Sequence, residues 1–135
     1  MDIQVYNNIY SGLQTYIAEK GNPYGVTVVN DVTTDTKYPF IFIEEPINTP
    51  YNGYERGYEK VSLNTYRIEV FAKNKNKVSK QQIARELAQL VDNFMIMIGL
   101  NRTSSNANTP TMDGALYRYT SMYNGYWHEN RNRFI

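Results

Sequence analysis

Apolar and polar positions along the chain follow two rhythms. Between residues 2 and 20, Ile3, Tyr6, Ile9, Tyr10, Leu13, Tyr16 and Ile17 recur at steps of three and four. That spacing lays one apolar stripe along a helix. Gly21 follows directly and Pro23 soon after, a combination that stops helices. "VTVVND" (26–31) then reads as a short strand. "YPFIFIEE" (38–45) is apolar without alternation from Phe40 to Ile43, which predicts a central strand covered on both faces. Pro46 and Pro50 are expected to end it.

"VSLNTYRIEVFAK" (61–73) changes the rhythm. Tyr66, Ile68, Val70 and Ala72 fall on one side, and Arg67, Glu69, Phe71 and Lys73 on the other, the mark of a half-buried strand. "NKNK" (74–77) is a solvated turn. Ser79 and Gln82 have capping-box spacing. Behind them Ile83, Leu87, Leu90, Val91, Phe94 and Ile98 form a second helical stripe, closed by Gly99. A helix of that length runs about 30 Å and covers a small sheet. Its stripe is expected to pack on the sheet that contains Tyr38 to Ile43.

"NRTSSNANTPTMDG" (101–114) has the composition of a long loop or a loose hairpin arm. "ALYRYTSMYNGYW" (115–127) predicts a last strand, with Tyr117, Tyr119 and Tyr123 on one face. Leu116, Arg118, Thr120 and Met122 take the other. The tail "HENRNRFI" is polar and expected to be loosely held until its end. No repeat or linker divides residues 1–135. The expected fold is a single α+β domain: a mixed or antiparallel sheet packed by two helices.

A chain of 135 residues buries enough surface to fold without disulfides or a structural metal. With no cysteine, zinc–thiolate sites and thiol chemistry are excluded. Lys and Arg number 14 against 13 Asp and Glu, which argues against nucleic-acid binding by counterion release. No apolar run approaches the ~20 residues that span a bilayer. Met1 to Gln4 lack the basic and apolar regions of a secretion signal, so a protein with no membrane role, made in the cytoplasm, is expected.

Tyrosine is abundant, 13 of 135 residues. AT-rich coding sequence raises Asn, Tyr, Ile and Lys together, but it does not decide where tyrosines cluster. Tyr51, Tyr54 and Tyr58 sit with Arg56 in "YNGYERGYEK" (51–60), a loop too rich in Gly and Asn to form a core. Large amphipathic rings at such a place suit an interface.

Catalytic chemistry finds little support. His128 is the sole histidine and is expected to be an exposed, idle imidazole in the tail. Glu44 and Glu45 are adjacent, so on a strand they point to opposite faces and cannot share a proton. No serine has a nucleophile-elbow setting, and no glycine pair forms a phosphate loop. The reading is no enzyme, with no catalytic, cofactor or metal residues. One rival remains: "YRYTSMYNGYW" interleaves Arg118 with rings on a strand, as stacking platforms for RNA do. The alternative is that these tyrosines pack under the helices.

Taken in order, "YPFIFI", "YRIEVFAK", the helix "QIARELAQLVDNFM" and the final strand with "YRY" resemble the tail terminator proteins of long-tailed bacteriophages. The resemblance spans nearly the whole chain and rests on order and spacing, since no motif in it is catalytic. It implies a virion protein made in the host cytoplasm and found at the neck end of the phage tail. Such proteins form a homohexameric ring that caps the tail tube, stops its elongation and docks to the head–tail connector or stopper protein. DNA passes through the lumen without specific binding. Under this reading Tyr51, Tyr54, Arg56 and Tyr58 are candidate interface residues. A head-completion or stopper protein from the same neck region is the nearest alternative, and an RNA-binding module with a Tyr-rich sheet face is the more distant one.

Overall fold

A computed structural model describes residues 3–50, 61–107, 115–128 and 133–134. Helix α1 (Ile3–Glu19) leads through a 3-10 turn (Pro23–Gly25) into β1 (Thr27–Val29). Strands β2 (Phe40–Pro50) and β3 (Val61–Ala72) follow, then helix α2 (Lys80–Met97). The chain closes with β4 (Asn101–Ala107), β5 (Tyr117–His128) and β6 (Arg133–Phe134). The sheet order is β1-β2-β3-β5-β4, with β6 paired to β5. Among the described residues only the β1–β2 pair is parallel; β2–β3, β3–β5, β4–β5 and β5–β6 are antiparallel. The architecture is α+β with a mixed sheet.

The start of α2 and the ends of both helices fall where local chemistry dictates. Ser79 accepts a hydrogen bond from the Gln82 amide at 3.2 Å and caps α2, satisfying one of the donors that a helix start leaves free. At the other end Gly99 takes φ +101°, its amide reaches Ile96 O, and the Leu100 amide reaches Met95 O. The same double closure ends α1, with Gly21 at φ +83° and Asn22 bonded to Ile17 O. This is the Schellman arrangement, which needs a residue tolerant of positive φ at that one place.

Both helices pack on one face of the sheet. Ile9, Leu13 and Ile17 of α1 join Ile83, Ala84, Leu87, Ala88, Val91, Phe94 and Met95 of α2 in one core with the sheet. Leu90 and Ile98 are only partly buried. The true stripe turns slightly, to include Met95 and two alanines. α1 lies over β1, while α2 lies over β3, β5 and β4. α2 thus packs on the sheet that contains 38–43, as expected, with its floor at the centre of that sheet and the strands after it. The helices meet where Phe94 tilts against Tyr16 at 5.6 Å. A Cβ on Gly12 would stand 2.9 Å from the Phe94 ring, so glycine is what permits that approach.

Two further expectations change, and one that was left open is decided. Pro46 does not end β2. Between Glu44 and Ile47 the strand gains one residue on its partner, as the register moves from Glu44↔Arg67 to Ile47↔Thr65. A bulge is where a residue without an amide N–H can stay in a sheet. The stretch from 101 was open between a loop and a hairpin arm; residues 101–107 form the edge strand β4 on β5. His128 is no exposed tail residue: it closes β5, opposite Val61 and Arg133, and is only 4% exposed. Phe134 folds back onto Trp127, edge to face at 4.9 Å, which holds the end of the tail against the sheet.

Candidate functional site

Cross-strand register decides which side chains share a face of the sheet. Ile41, Ile43, Tyr66, Ile68, Val70, Tyr117 and Tyr123 point to the helices and are buried. The opposite face runs in three rows across β2, β3 and β5. The rows are Phe40–Phe71–Arg118, Phe42–Glu69–Thr120 and Glu44–Arg67–Met122. Among the described residues no helix or strand lies over this face. It is the candidate site.

One end is aromatic. Phe40 and Phe71 stack at 4.9 Å and 20°, Tyr38 tilts against Phe40 at 5.1 Å, and the Lys73 ammonium lies 4.5 Å from the Tyr38 ring centre. The apolar run at Phe40–Ile43 predicted cover on both faces, and among the described residues no second layer provides it on this one. The rings cover one another, which leaves Phe40 at 1% exposure and Phe42 half-buried.

Beside the rings, charges interlock. The Arg67 guanidinium donates to Glu44, with Nε 3.1 Å from Oε2 and Nη2 on the same oxygen. The same Nε lies 3.3 Å from Glu69 Oε1, and Arg118 Nη1 lies 3.4 Å from Glu69 Oε2. The hydrogen bond to Glu44 is the main reason the Arg67 pKa is raised above its ordinary value. The Glu69 side chain is 8% exposed between arginines that are 40% and 30% exposed. Among the described residues, Glu69 Oε2 and Arg118 Nε are buried without a hydrogen bond. Ion pairing holds this cluster more than directional bonding does.

Every charge in the cluster faces one of opposite sign, and no nucleophile or proton-transfer pair converges there. Among the described residues no group of three His, Asp or Glu could hold a metal. The face is aromatic at one end and charged at the centre. The sheet also ends in a polar edge at β4, where residues 101–105 are exposed. Thr103 is extra in the β4–β5 register, and its hydroxyl donates to Met122 O at 3.3 Å.

Tyr51, Tyr54, Arg56 and Tyr58 fall in the β2–β3 connection, outside the described residues. Tyr117, Tyr119 and Tyr123 of β5 face the helices. Tyr117 and Tyr123 are 4% and 0% exposed and Tyr119 packs against the core, so this ring-bearing face offers no stacking platform. The residues that reading by sequence missed are Glu69 and Arg118 as a pair. Alternation alone put Glu69 with Arg67 and Phe71, and Arg118 opposite the tyrosines. Their meeting depends on the β3–β5 register.

No known protein family matches the chain, and no curated protein matches it.

Proposed function

We propose that this chain is a structural subunit of the neck of a long-tailed bacteriophage tail. It forms a ring that caps the tail tube and joins it to the head connector. The observation that supports this most is the one-sided sheet. Two helices complete the core on one face, while the Phe40–Phe71–Arg118, Phe42–Glu69–Thr120 and Glu44–Arg67–Met122 rows have no layer above them among the described residues. A ring subunit needs this division: a core that folds alone, and flat surfaces left for neighbours and tube. The sequence resemblance to tail terminators supplies the specific role. Tyr51, Tyr54, Arg56 and Tyr58, in the connection between two of the three strands that carry those rows, would add contact area in this reading. No helix among the described residues is long and apolar enough to cross a membrane, which agrees with a virion role but does not single it out.

The test is assembly. Sedimentation of the purified protein should give a ring of several subunits, six in this reading, and adding it to polymerising tail tubes should fix their length. A variant with Tyr51, Tyr54 and Tyr58 all changed to Ser should keep its circular dichroism and lose assembly, because aromatic anchors carry much of an interface's energy. A monomer with no effect on tube length would sink the proposal. A ring that binds the connector and leaves tubes uncapped would assign it to the stopper role instead.

A further inference from the structure

On the helix side, a groove of about 160 Å³ opens between α2 and the β4–β5 edge, lined by Arg85, Gln89, Asp92, Arg102, Tyr119 and Ser121 among others. Arg85, Gln89 and Asp92 lie along one flank of α2, at the three- and four-residue steps that share a side. Arg102, Tyr119 and Ser121 rise from the helix-facing side of the sheet. The volume is below the ~300 Å³ at which organic-ligand pockets begin, yet several times the ~30 Å³ share of one water. It suits one small ion or one terminal group.

The chemistry selects the sign. Asp92 Oδ1 accepts from the Tyr123 hydroxyl at 2.9 Å and lies 3.3 Å from Arg102 Nη1. Arg102 is thus held through one nitrogen, and its other N–H donors have no partner among the described residues. Arg85 makes no hydrogen bond or ion pair among the described residues. Gln89 donates to Asn93 at 2.9 Å, so its amide N–H₂ is partly committed. The groove therefore holds two guanidinium groups and two hydroxyls against one carboxylate already engaged twice. Donors exceed acceptors, and the local charge is positive.

We propose that this groove binds a single phosphate-sized oxyanion. Arg85 and Arg102 supply the charge and the planar donor forks that suit such groups, and the Tyr119 hydroxyl supplies a neutral donor, while the Ser121 hydroxyl is engaged with Tyr123. The Arg102 side chain is 47% exposed, so water and salt screen the interaction. Dissociation constants of about 1–10 mM follow, within the range for a few kcal/mol of binding. This site is separate from the uncovered sheet face and independent of the ring assignment.

The experiment is titration of the isotopically labelled full chain with inorganic phosphate, against sodium chloride at matched ionic strength. Amide resonances of Arg102, Tyr119 and Ser121 and the Nε of Arg85 should move and saturate with phosphate alone. Arg85→Gln alters an exposed helix residue and leaves the fold intact; it should weaken binding by about fivefold or more. Arg102→Lys keeps the charge and loses the fork, and should weaken it less. Shifts that grow linearly without saturating, or that match those in chloride, would overturn the proposal. So would saturable binding that is unchanged in Arg85→Gln.

Discussion

The two faces of this sheet are built by different physics from the same three strands. On the helix side Ile41, Ile43, Tyr66, Ile68 and Tyr123 are at most 1% exposed. Their stabilisation is non-directional burial, at about 25 cal/mol per Å² of apolar area removed from water. On the other side Glu44, Arg67, Glu69 and Arg118 hold one another in a plane, with a stacked Phe40–Phe71 pair beside them. There the gain per contact is small, because charges near water interact weakly and hold side chains that water would otherwise free. One face accounts for why the chain folds. The other is what it can offer a partner.

The comparison breaks first at the helix side. Phe94→Ala removes a ring that is 5% exposed and that touches both Tyr16 and the Gly12 contact. It should cost about 3–5 kcal/mol, read from urea unfolding with an unchanged slope. A cost under about 1 kcal/mol, the range of surface changes, would mean that the helix layer does not close the core.

On the uncovered face the largest effect should come from Glu69→Gln, which leaves Arg67 and Arg118 facing a neutral group in a largely buried place. About 1–3 kcal/mol is expected by the same measurement. Changing Glu69 and Arg118 together to Met should recover most of it, because an apolar pair often replaces a buried ion pair without loss. If the double variant were worse than the single one, the ion pair itself would be stabilising the face.

Tyr123 allows a sharper test of the helix side. Burial, and then its hydrogen bond to Asp92, push its hydroxyl well above the ordinary tyrosine value of 10.0. The folded protein therefore holds that proton more tightly than the unfolded chain does. This contribution is complete below pH 10 and is lost as pH rises beyond it, so stability should decline through the alkaline range. Tyr123→Phe should cost about 1 kcal/mol at neutral pH and flatten the alkaline limb. A limb as steep in the variant as in the parent would assign it to other groups.

The smallest effect is predicted for Glu44→Gln. Glu44 and Arg67 are 37% and 40% exposed, so less than about 1 kcal/mol is expected, shrinking further as salt is added. A larger, salt-independent loss would show that the charged rows are more than a solvated surface lattice.

Much of the fold was legible because it depends on neighbours in sequence. The α2 cap at Ser79 and Gln82, the glycine stops at 21 and 99, and the two-residue alternation of β3 all follow from local chemistry. The inward tyrosines of β5 also follow, since their spacing matches the face that must be apolar. What local rules missed was cooperative. Pro46 reads as a stop until an antiparallel partner accommodates it in a bulge, and "NRTSSNA" stays open between loop and hairpin arm until β5 offers it a ladder of backbone hydrogen bonds.

The sequence by itself determined the helices, the strand phases, and hence which side chains belong to each face. Only the tertiary structure decided that both helices cover the same face, that Glu69 meets Arg118, and that Arg85 and Arg102 share a groove. The physical reason is range. Periodicity and caps are set within a few residues by backbone geometry, whereas register and layer order are fixed by contacts between segments tens of residues apart. Burial energy selects among such pairings only once the chain has closed on itself.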